Sequence, residues 1–141
     1  MTISTLFLDT SALLRRYVAA PHRLLVIDAM ERADHWVATS LSRTETLLAL
    51  QQLALSPTHL NELWASVRGE WDAFWELPID NKALNAAVEL GGRFGLGTVD
   101  ALQLACAARL PAPLSFCTFE RQQMPVAVAL GFELIAPEAA T

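Results

Sequence analysis

Four acidic residues are predicted to lie either just after buried strands or in the first turns of helices. Asp9 comes directly after the first apolar run of the chain, and Glu120 follows a later run that ends at Cys117. Glu45 is expected in the first turn of the helix after the second strand, and Asp100 in the first turn of a helix that follows a glycine break. Because the carboxyl ends of parallel strands meet at one edge of a sheet, we expect these side chains to lie close together.

The chemistry that such a group of acids predicts is metal-assisted hydrolysis of a phosphate ester. Clustered carboxylates repel one another unless a cation neutralises them. Their oxygens are hard ligands, which suit Mg²⁺ or Mn²⁺. Such an ion lowers the pKa of a bound water and stabilises the negative charge that builds on a phosphate. This chemistry needs no His, Cys or Ser nucleophile.

Each acid also has a purely structural explanation. Asp9 could cap the helix that follows it, while Asp100 and Glu120 could favour the positive end of a helix dipole. Ser42 and Glu45 have the spacing of a capping box, in which the two side chains bond reciprocally to the first turn. Each explanation suffices for one acid alone, but the shared placement of the acids near strand ends favours a common site.

The elements that carry these acids alternate along the chain. Strands are predicted at 5–8, 36–39, 75–79 (weakened by Pro78), 114–117 and 132–135. Helices are predicted over 10–18, from Pro21, from Ser42, from Pro57 to about Trp75, from the N-cap Asp80 to a weak end at Gly91-Gly92, over 100–109 after Thr98, and over 120–130. This alternation indicates an α/β fold with a mostly parallel sheet covered on both faces. The 141 residues suit a single domain.

The charge balance limits how nucleic acid could be bound. The formal net charge is −5, and the ten basic residues form no run. A broad electrostatic grip on nucleic acid is therefore not indicated. Any contact with nucleic acid must be local, or a metal must neutralise part of the acid.

Cysteines, histidines and apolar runs point to no other kind of site. Cys106 and Cys117 are predicted to be reduced, buried thiols of a cytoplasmic protein. His22, His35 and His59 have no metal-binding spacing. We expect no signal peptide and no membrane span, because no basic start precedes an apolar stretch and no apolar run approaches about 20 residues.

The sequence resembles the PIN-domain family, and specifically the VapC-type toxin ribonucleases of toxin–antitoxin pairs. The resemblance covers essentially the whole chain, 1–141. The matching stretches are Phe7-Leu8-Asp9-Thr10-Ser11-Ala12-Leu13, Ser40 to Glu45, Thr98-Val99-Asp100-Ala101-Leu102-Gln103-Leu104-Ala105 and Cys117-Thr118-Phe119-Glu120-Arg121. The resemblance implies a three-layer α/β/α fold around a mostly parallel sheet of about four to five strands.

The resemblance also implies an active site. Carried over, Asp9, Glu45 and Asp100 are the principal carboxylates of a Mg²⁺- or Mn²⁺-dependent endoribonuclease, whose products carry 5′-phosphate and 3′-hydroxyl ends. The fourth acid of the family is usually an Asp, whereas this chain has Glu120, which reaches one methylene further. Glu120 would position a second ion or the attacking water.

Further residues and partners are implied in the same way. The supporting polar residues would be Thr10, Ser11 and Thr118, and the candidates for contacting RNA phosphates are Arg15, Arg43 and Arg121. The implied partners are an RNA substrate, a cognate antitoxin whose C-terminal segment covers the acidic site, and a second copy of the chain.

Two other functions compete with this one. The chain could be a PIN-like domain that binds RNA or protein and cuts little, given Glu120 and the acidic balance. It could also be a different α/β enzyme such as a metal-dependent phosphatase. The glycines at 91–97 do not form a GxxxxGK[ST] phosphate loop, and no Gly-x-Ser-x-Gly motif occurs.

Overall fold

Five parallel strands form one sheet in a computed structural model that describes residues 3–138. The strands are β1 (Thr5–Leu8), β2 (His35–Thr39), β3 (Phe74–Leu77), β4 (Leu114–Cys117) and β5 (Glu133–Ile135). Their order is β3-β2-β1-β4-β5, and all four pairings are parallel. The fold class predicted from the sequence is confirmed, with an entirely parallel sheet of five strands.

Seven α-helices cover the two faces of this sheet within the described residues. They are α1 (Thr10–Tyr17), α2 (Arg23–Arg32), α3 (Ser40–Leu53), α4 (Pro57–Glu70), α5 (Asn81–Phe94), α6 (Thr98–Ala107) and α7 (Met124–Ala129), with a 3-10 turn at Trp71–Ala73. The architecture is therefore three-layered, α/β/α. Within residues 3–138, no helix combines the length and the apolar content that crossing a membrane requires.

The central strand β1 is buried on both faces, as its continuous apolar run predicts. Leu6 and Leu8 point into the core beneath α1 to α4, while Phe7 points into the core beneath α5 to α7. Phe7 stacks on Phe116 of β4 with ring centres 5.1 Å apart. Because β1 lies in the middle of the sheet, the residue that follows it emerges at the centre of the carboxyl edge.

Several predicted boundaries were wrong by a turn or less. The helix expected from Ser42 begins at Ser40, and the helix expected from Pro21 begins at Arg23. The third strand ends at Leu77, before Pro78, because proline cannot donate to the ladder. The fifth strand begins at Glu133 rather than at residue 132.

Three helices also differ in extent from the prediction. The helix from Pro57 ends at Glu70 and gives way to the 3-10 turn, and α6 ends at Ala107 rather than at residue 109. The glycine pair 91–92 lies inside α5, which continues to Phe94 and ends at Gly95 in the left-handed conformation (φ 69°). The helix predicted over 120–130 exists only as α7 from Met124, because residues 121–123 form a turn.

Candidate functional site

All four predicted acids line one pocket, of about 290 Å³, at the carboxyl edge of the sheet. Asp9 follows β1, Glu45 lies on α3 after β2, Asp100 lies in the first turn of α6, and Glu120 follows β4. The remaining lining residues are Thr10, Ser11, Leu14, Arg15, Val99, Gln103 and Gln123. The expectation that separate strand ends bring these acids together is thus met by the geometry of the pocket.

Asp9 is the most deeply buried of the four and is held by three donors. Its Oδ1 accepts from the Ser11 hydroxyl at 2.7 Å and from the Ala12 N–H at 3.0 Å, and its Oδ2 accepts from the Thr118 hydroxyl at 2.9 Å. The bond from Ala12 makes Asp9 the N-cap of α1. The structural explanation and the site explanation of Asp9 therefore hold together, since one carboxylate caps the helix and lines the pocket.

Thr118 connects Asp9 to a residue that the sequence reading missed, Gln123. The Thr118 hydroxyl lies 2.9 Å from Asp9 Oδ2 and 2.7 Å from Gln123 Oε1, and its single proton serves one of them at a time. The Thr118 backbone N–H donates to the Ile135 carbonyl of β5 at 3.1 Å. The loop after β4 is thereby fixed to the sheet, and its hydroxyl faces Asp9.

Glu45 is supported from the other side of the pocket. Its Oε1 accepts from the Thr10 hydroxyl at 2.6 Å, and the same Thr10 oxygen lies 3.0 Å from Ser42 Oγ. The buried amide of Gln103 donates to the same Ser42 oxygen at 2.7 Å. This network joins α1, α3 and α6, so it fixes the three helices that carry the acids relative to one another.

The capping box predicted for Ser42 and Glu45 is wrong. The N-cap of α3 is Thr39, whose hydroxyl accepts from the Ser42 N–H at 3.0 Å. Because α3 begins two residues earlier than predicted, Glu45 lies in its second turn and its carboxylate turns toward Thr10 instead of back to the helix start. A structural role in the first turn of α3 therefore does not account for Glu45.

Asp100 and Glu120 are less buried than Asp9. Asp100 is half-buried, and Glu120 is exposed at the rim, where its backbone N–H donates to the Thr118 hydroxyl oxygen at 3.0 Å. Glu120 belongs to no helix, so the predicted helix-dipole role for it is wrong. Within residues 3–138, neither carboxylate has a hydrogen-bond donor or an ion-pair partner.

The electrostatics of the pocket disfavour the charged carboxylates. Burial raises the pKa of Asp9 to about 6 although three hydrogen bonds oppose the shift, and the nearby Glu120 raises it further. Burial also raises the pKa of Asp100. The three ion pairs of the described chain use other acids, namely Glu70, Asp28 and Asp80. No arginine or lysine of residues 3–138 forms an ion pair with these four acids.

The donor set fits a small, hard divalent cation. The described residues of the pocket offer carboxylate, hydroxyl and amide oxygens and no thiol or imidazole, a donor set that suits Mg²⁺ or Mn²⁺ and suits softer metals poorly. As the side chains stand, residues 3–138 contain no group of three or more His, Cys, Asp or Glu residues close enough to enclose an ion. Mg²⁺ commonly binds through one or two carboxylates and retains several waters, so a complete cage of side chains is not required for it to bind.

The basic candidates separate in the structure. Arg15 lines the acidic pocket, whereas Arg121 is exposed and lines a neighbouring cavity. Arg43 is exposed on α3 and lines neither. Cys106 and Cys117 are free and buried, and burial raises the pKa of their thiols to about 11 and about 12.

The residues that sequence reasoning missed are buried amides and hydroxyls. Gln103 and Gln123 are each 1% exposed, and Thr39 and Ser42 are fully buried. A signal existed for Gln103, because it is the one amide in the apolar run Ala101 to Ala107 and stands three residues after Asp100. No comparable sequence signal marks Gln123, because its contact with Thr118 is visible only in the folded structure.

The chain is a three-layer α/β/α protein with an acidic pocket at the carboxyl edge of its parallel sheet, and sequence comparison identifies its family. The profile of the PIN domain matches residues 6–123. The chain belongs to the PIN domain family. No curated protein sequence matches it.

Solved structures of similar fold include proteins of toxin–antitoxin systems. A toxin–antitoxin complex from Klebsiella pneumoniae has a TM-score of 0.66 at 18% identity, with 86% of this chain and 90% of that chain covered. FitAcB from Neisseria gonorrhoeae has a TM-score of 0.72 at 16% identity, with 92% and 96% covered. VapBC-5 from Mycobacterium tuberculosis has a TM-score of 0.64 at 19% identity, with 95% and 99% covered. At such identities the likeness establishes the fold.

Proposed function

We propose that this chain is the toxin of a type II toxin–antitoxin system and acts as a metal-dependent endoribonuclease. The observation that carries the proposal is the acidic pocket, in which four carboxylates meet and none is paired with a cation of the described chain. Membership of the PIN domain family and the toxin–antitoxin origin of the similar structures support it.

Each acid takes a role that follows from its surroundings. Asp9, fixed by Ser11 and Thr118, and the half-buried Asp100 would hold Mg²⁺ or Mn²⁺, with Glu45 oriented toward the same space by Thr10. When bound, the ion supplies a water of lowered pKa and positive charge next to the phosphate. Glu120 is exposed at the rim and can accept a hydrogen bond from a water facing the substrate.

The carboxylate oxygens that keep a free lone pair are the ones that can bind an ion or a water. Asp9 accepts two hydrogen bonds on Oδ1 and one on Oδ2, so Oδ2 keeps a lone pair for an ion. Glu45 Oε2 and both oxygens of Asp100 accept no hydrogen bond from residues 3–138. Glu45 and Asp100 both line the pocket, so these oxygens can bind an ion or its waters.

The partners and the compartment follow from the same proposal. The substrate is RNA, cut to 5′-phosphate and 3′-hydroxyl ends, and the activity is restrained by a cognate antitoxin. The chain acts as a homodimer in the cytoplasm, where its two free cysteines stay reduced.

The test is RNA cleavage by the purified protein with Mg²⁺ or Mn²⁺, alongside EDTA and an Asp100→Asn variant. Asp72→Asn is the matched control, because Asp72 is an exposed acid outside the pocket. We expect cleavage by the wild type and Asp72→Asn only. Equal behaviour of all samples on several structured RNAs would contradict the cleavage proposal.

A second candidate is an RNA- or protein-binding PIN domain with little cleavage. It is favoured by the exposed position of Glu120 and by the spacing of the acids, which as they stand do not form a three-residue metal group within the described chain. Growth arrest on expression separates the two candidates. Arrest that Asp100→Asn relieves supports the nuclease, while arrest that persists supports binding alone.

A further inference from the structure

A second cavity, of about 540 Å³, adjoins the acidic pocket and shares Arg15 with it. We call it the flanking pocket. Its lining residues are Arg15, His22, Phe119, Arg121, Met124, Pro137 and Glu138. Both pockets are lined by the Arg15 side chain, and Phe119 and Arg121 of the flanking pocket are the chain neighbours of Glu120 in the acidic pocket. A ligand that extends out of the acidic pocket past Arg15 therefore enters the flanking pocket.

Arg15 is held in place between the two pockets. Its guanidinium carbon lies 3.6 Å from the centre of the Phe119 ring. Its Nη1 donates to the Ser11 carbonyl at 2.8 Å, and its Nε donates to the Pro21 carbonyl at 3.0 Å. A guanidinium has five N–H groups, so three remain for an incoming acceptor such as a phosphate oxygen.

The His22 ring and the Arg121 guanidinium complete the wall of the flanking pocket. His22 has a left-handed backbone (φ 62°) at the start of α2, and its ring centre is 6.4 Å from that of Phe119. Arg121 is exposed and has no ion pair within residues 3–138. Glu138 is the sole acid among the described lining residues. The flanking pocket thus places guanidinium groups and an aromatic ring beside an acidic pocket, in a chain of net charge −5.

We propose that the flanking pocket holds the nucleotide adjacent to the phosphodiester in the acidic pocket. Arg15 and Arg121 bind its phosphate, and its base packs against the wall formed by Phe119, His22 and Met124. The proposal rests on the function proposed above and adds a binding site for one further nucleotide beside the acidic pocket. An unpaired base presents a face that can stack on aromatic and guanidinium groups, whereas a paired base in a duplex does not.

The experiment measures binding separately from cleavage. The probe is a fluorescein-labelled single-stranded RNA of mixed sequence, and its anisotropy is titrated in Mg²⁺ with protein carrying Asp100→Asn, so that the RNA stays intact. In this background, Phe119→Leu should weaken binding by about fivefold or more, because the ring that supports the Arg15 guanidinium and forms the wall beside the base is lost. Arg121→Gln should reduce the slope of log affinity against log salt by about 0.7, the contribution of one phosphate contact on a single strand.

The chain supplies matched controls for both substitutions. Arg93 lies over Phe94 at 4.8 Å, so it repeats the arginine-on-phenylalanine pair on α5, outside both pockets. Phe94→Leu and Arg93→Gln should leave RNA affinity and salt slope unchanged. Phe119 is partly buried against the core, but Arg121 is exposed, so Arg121→Gln tests the proposal even if Phe119→Leu unfolds.

The outcomes separate this proposal from the proposed function. Loss of RNA affinity in Phe119→Leu and Arg121→Gln, with a wild type that cuts no RNA, would support the flanking pocket and overturn cleavage. Cleavage by a wild type whose pocket variants bind and cut unchanged would overturn the flanking pocket alone. Unchanged RNA affinity together with weakened binding of a polyglutamate peptide would assign the pocket to an acidic protein partner, and no detectable RNA binding would also overturn it.

Discussion

The carboxylates of this chain occupy two contrasting environments, one paired and one unpaired. Glu70 is half-buried on α4 and accepts from both nitrogens of the Arg16 fork and from the Tyr17 hydroxyl, so the pKa of its carboxyl is lowered. Asp100 is also half-buried but has no such partner in the described chain, and burial raises its pKa. The difference between them is therefore the presence of a cation rather than the degree of burial.

Two helix caps differ both in pairing and in burial. Asp80 caps α5 with a solvent-exposed side chain and also pairs with Arg109 at 2.8 Å, and its pKa is lowered, chiefly by the cap bond from the Ala83 N–H. Asp9 caps α1 with equal geometry but is buried without a cation, and its pKa is raised to about 6. Burial is therefore the larger cause of the raised pKa of Asp9, and no cation of residues 3–138 pairs with this carboxylate. The paired acids stabilise the fold, whereas the four acids of the pocket have no cation partner in the described chain.

The largest expected effect is on RNA cleavage, when Asp9→Asn removes the unpaired charge of Asp9. The amide retains the cap bond to Ala12 and removes the charge, so we expect RNA cleavage in Mg²⁺ to fall by about a hundredfold or more. Thermal stability in EDTA should not fall, because no ion pair is lost. Asp72→Asn is the control for both measurements, and wild-type cleavage by Asp9→Asn would show that the charge of Asp9 is dispensable.

The next largest effect is the pH dependence of stability. The folded-state pKa of Asp9 is about 6, above its ordinary value of 3.8, so the charged form costs about 3 kcal/mol. Its contribution to stability is fully present below pH 3.8 and is lost as pH rises through 6. In urea unfolding with EDTA, the free energy of unfolding of the wild type minus that of Asp9→Asn should fall by about 2 kcal/mol from pH 4 to pH 7. A flat difference would mean that Asp9 is solvated in the pocket.

A smaller effect is expected from adding the ion. A metal that binds only the folded protein stabilises it by about 1.4 kcal/mol at ten times its dissociation constant. The melting temperature of the wild type at pH 7.5 should therefore rise with Mg²⁺, and that of Asp9→Asn should rise much less. Equal shifts in both proteins would place the ion away from Asp9.

The smallest effect on stability is expected when the paired acid Glu70 loses its ion pair with Arg16. Glu70→Gln removes an ion pair that is partly exposed to solvent, so we expect a loss of about 1 kcal/mol and unchanged cleavage. Its pH dependence has the opposite sign, because a lowered pKa contributes stability that is present above pH 4.5 and lost as pH falls through the folded pKa. A loss of cleavage in Glu70→Gln would show that the two environments are coupled.

The sequence predicted the parts of the site that depend on local pattern. The position of Asp9 follows from a buried strand followed by a helix start, and that of Asp100 from a glycine break followed by a helix. The support of Glu45 could not be predicted, because Gln103 and Ser42 are 61 positions apart and meet only through tertiary packing. The shifted start of α3 has a similar cause, since Thr39 and Ser42 are both acceptable caps and the strand end decided between them.

The double use of Asp9, as helix cap and pocket wall, has an evolutionary consequence. Glutamate at this position would keep the charge but would not reach the Ala12 N–H with the same geometry, and serine or asparagine would keep the cap but not the charge. Under the proposed function, aspartate is therefore the residue that meets both requirements. If that activity were lost while the fold was kept, asparagine or serine would suffice, so this single codon would distinguish chains that retain the activity from chains that keep only the fold.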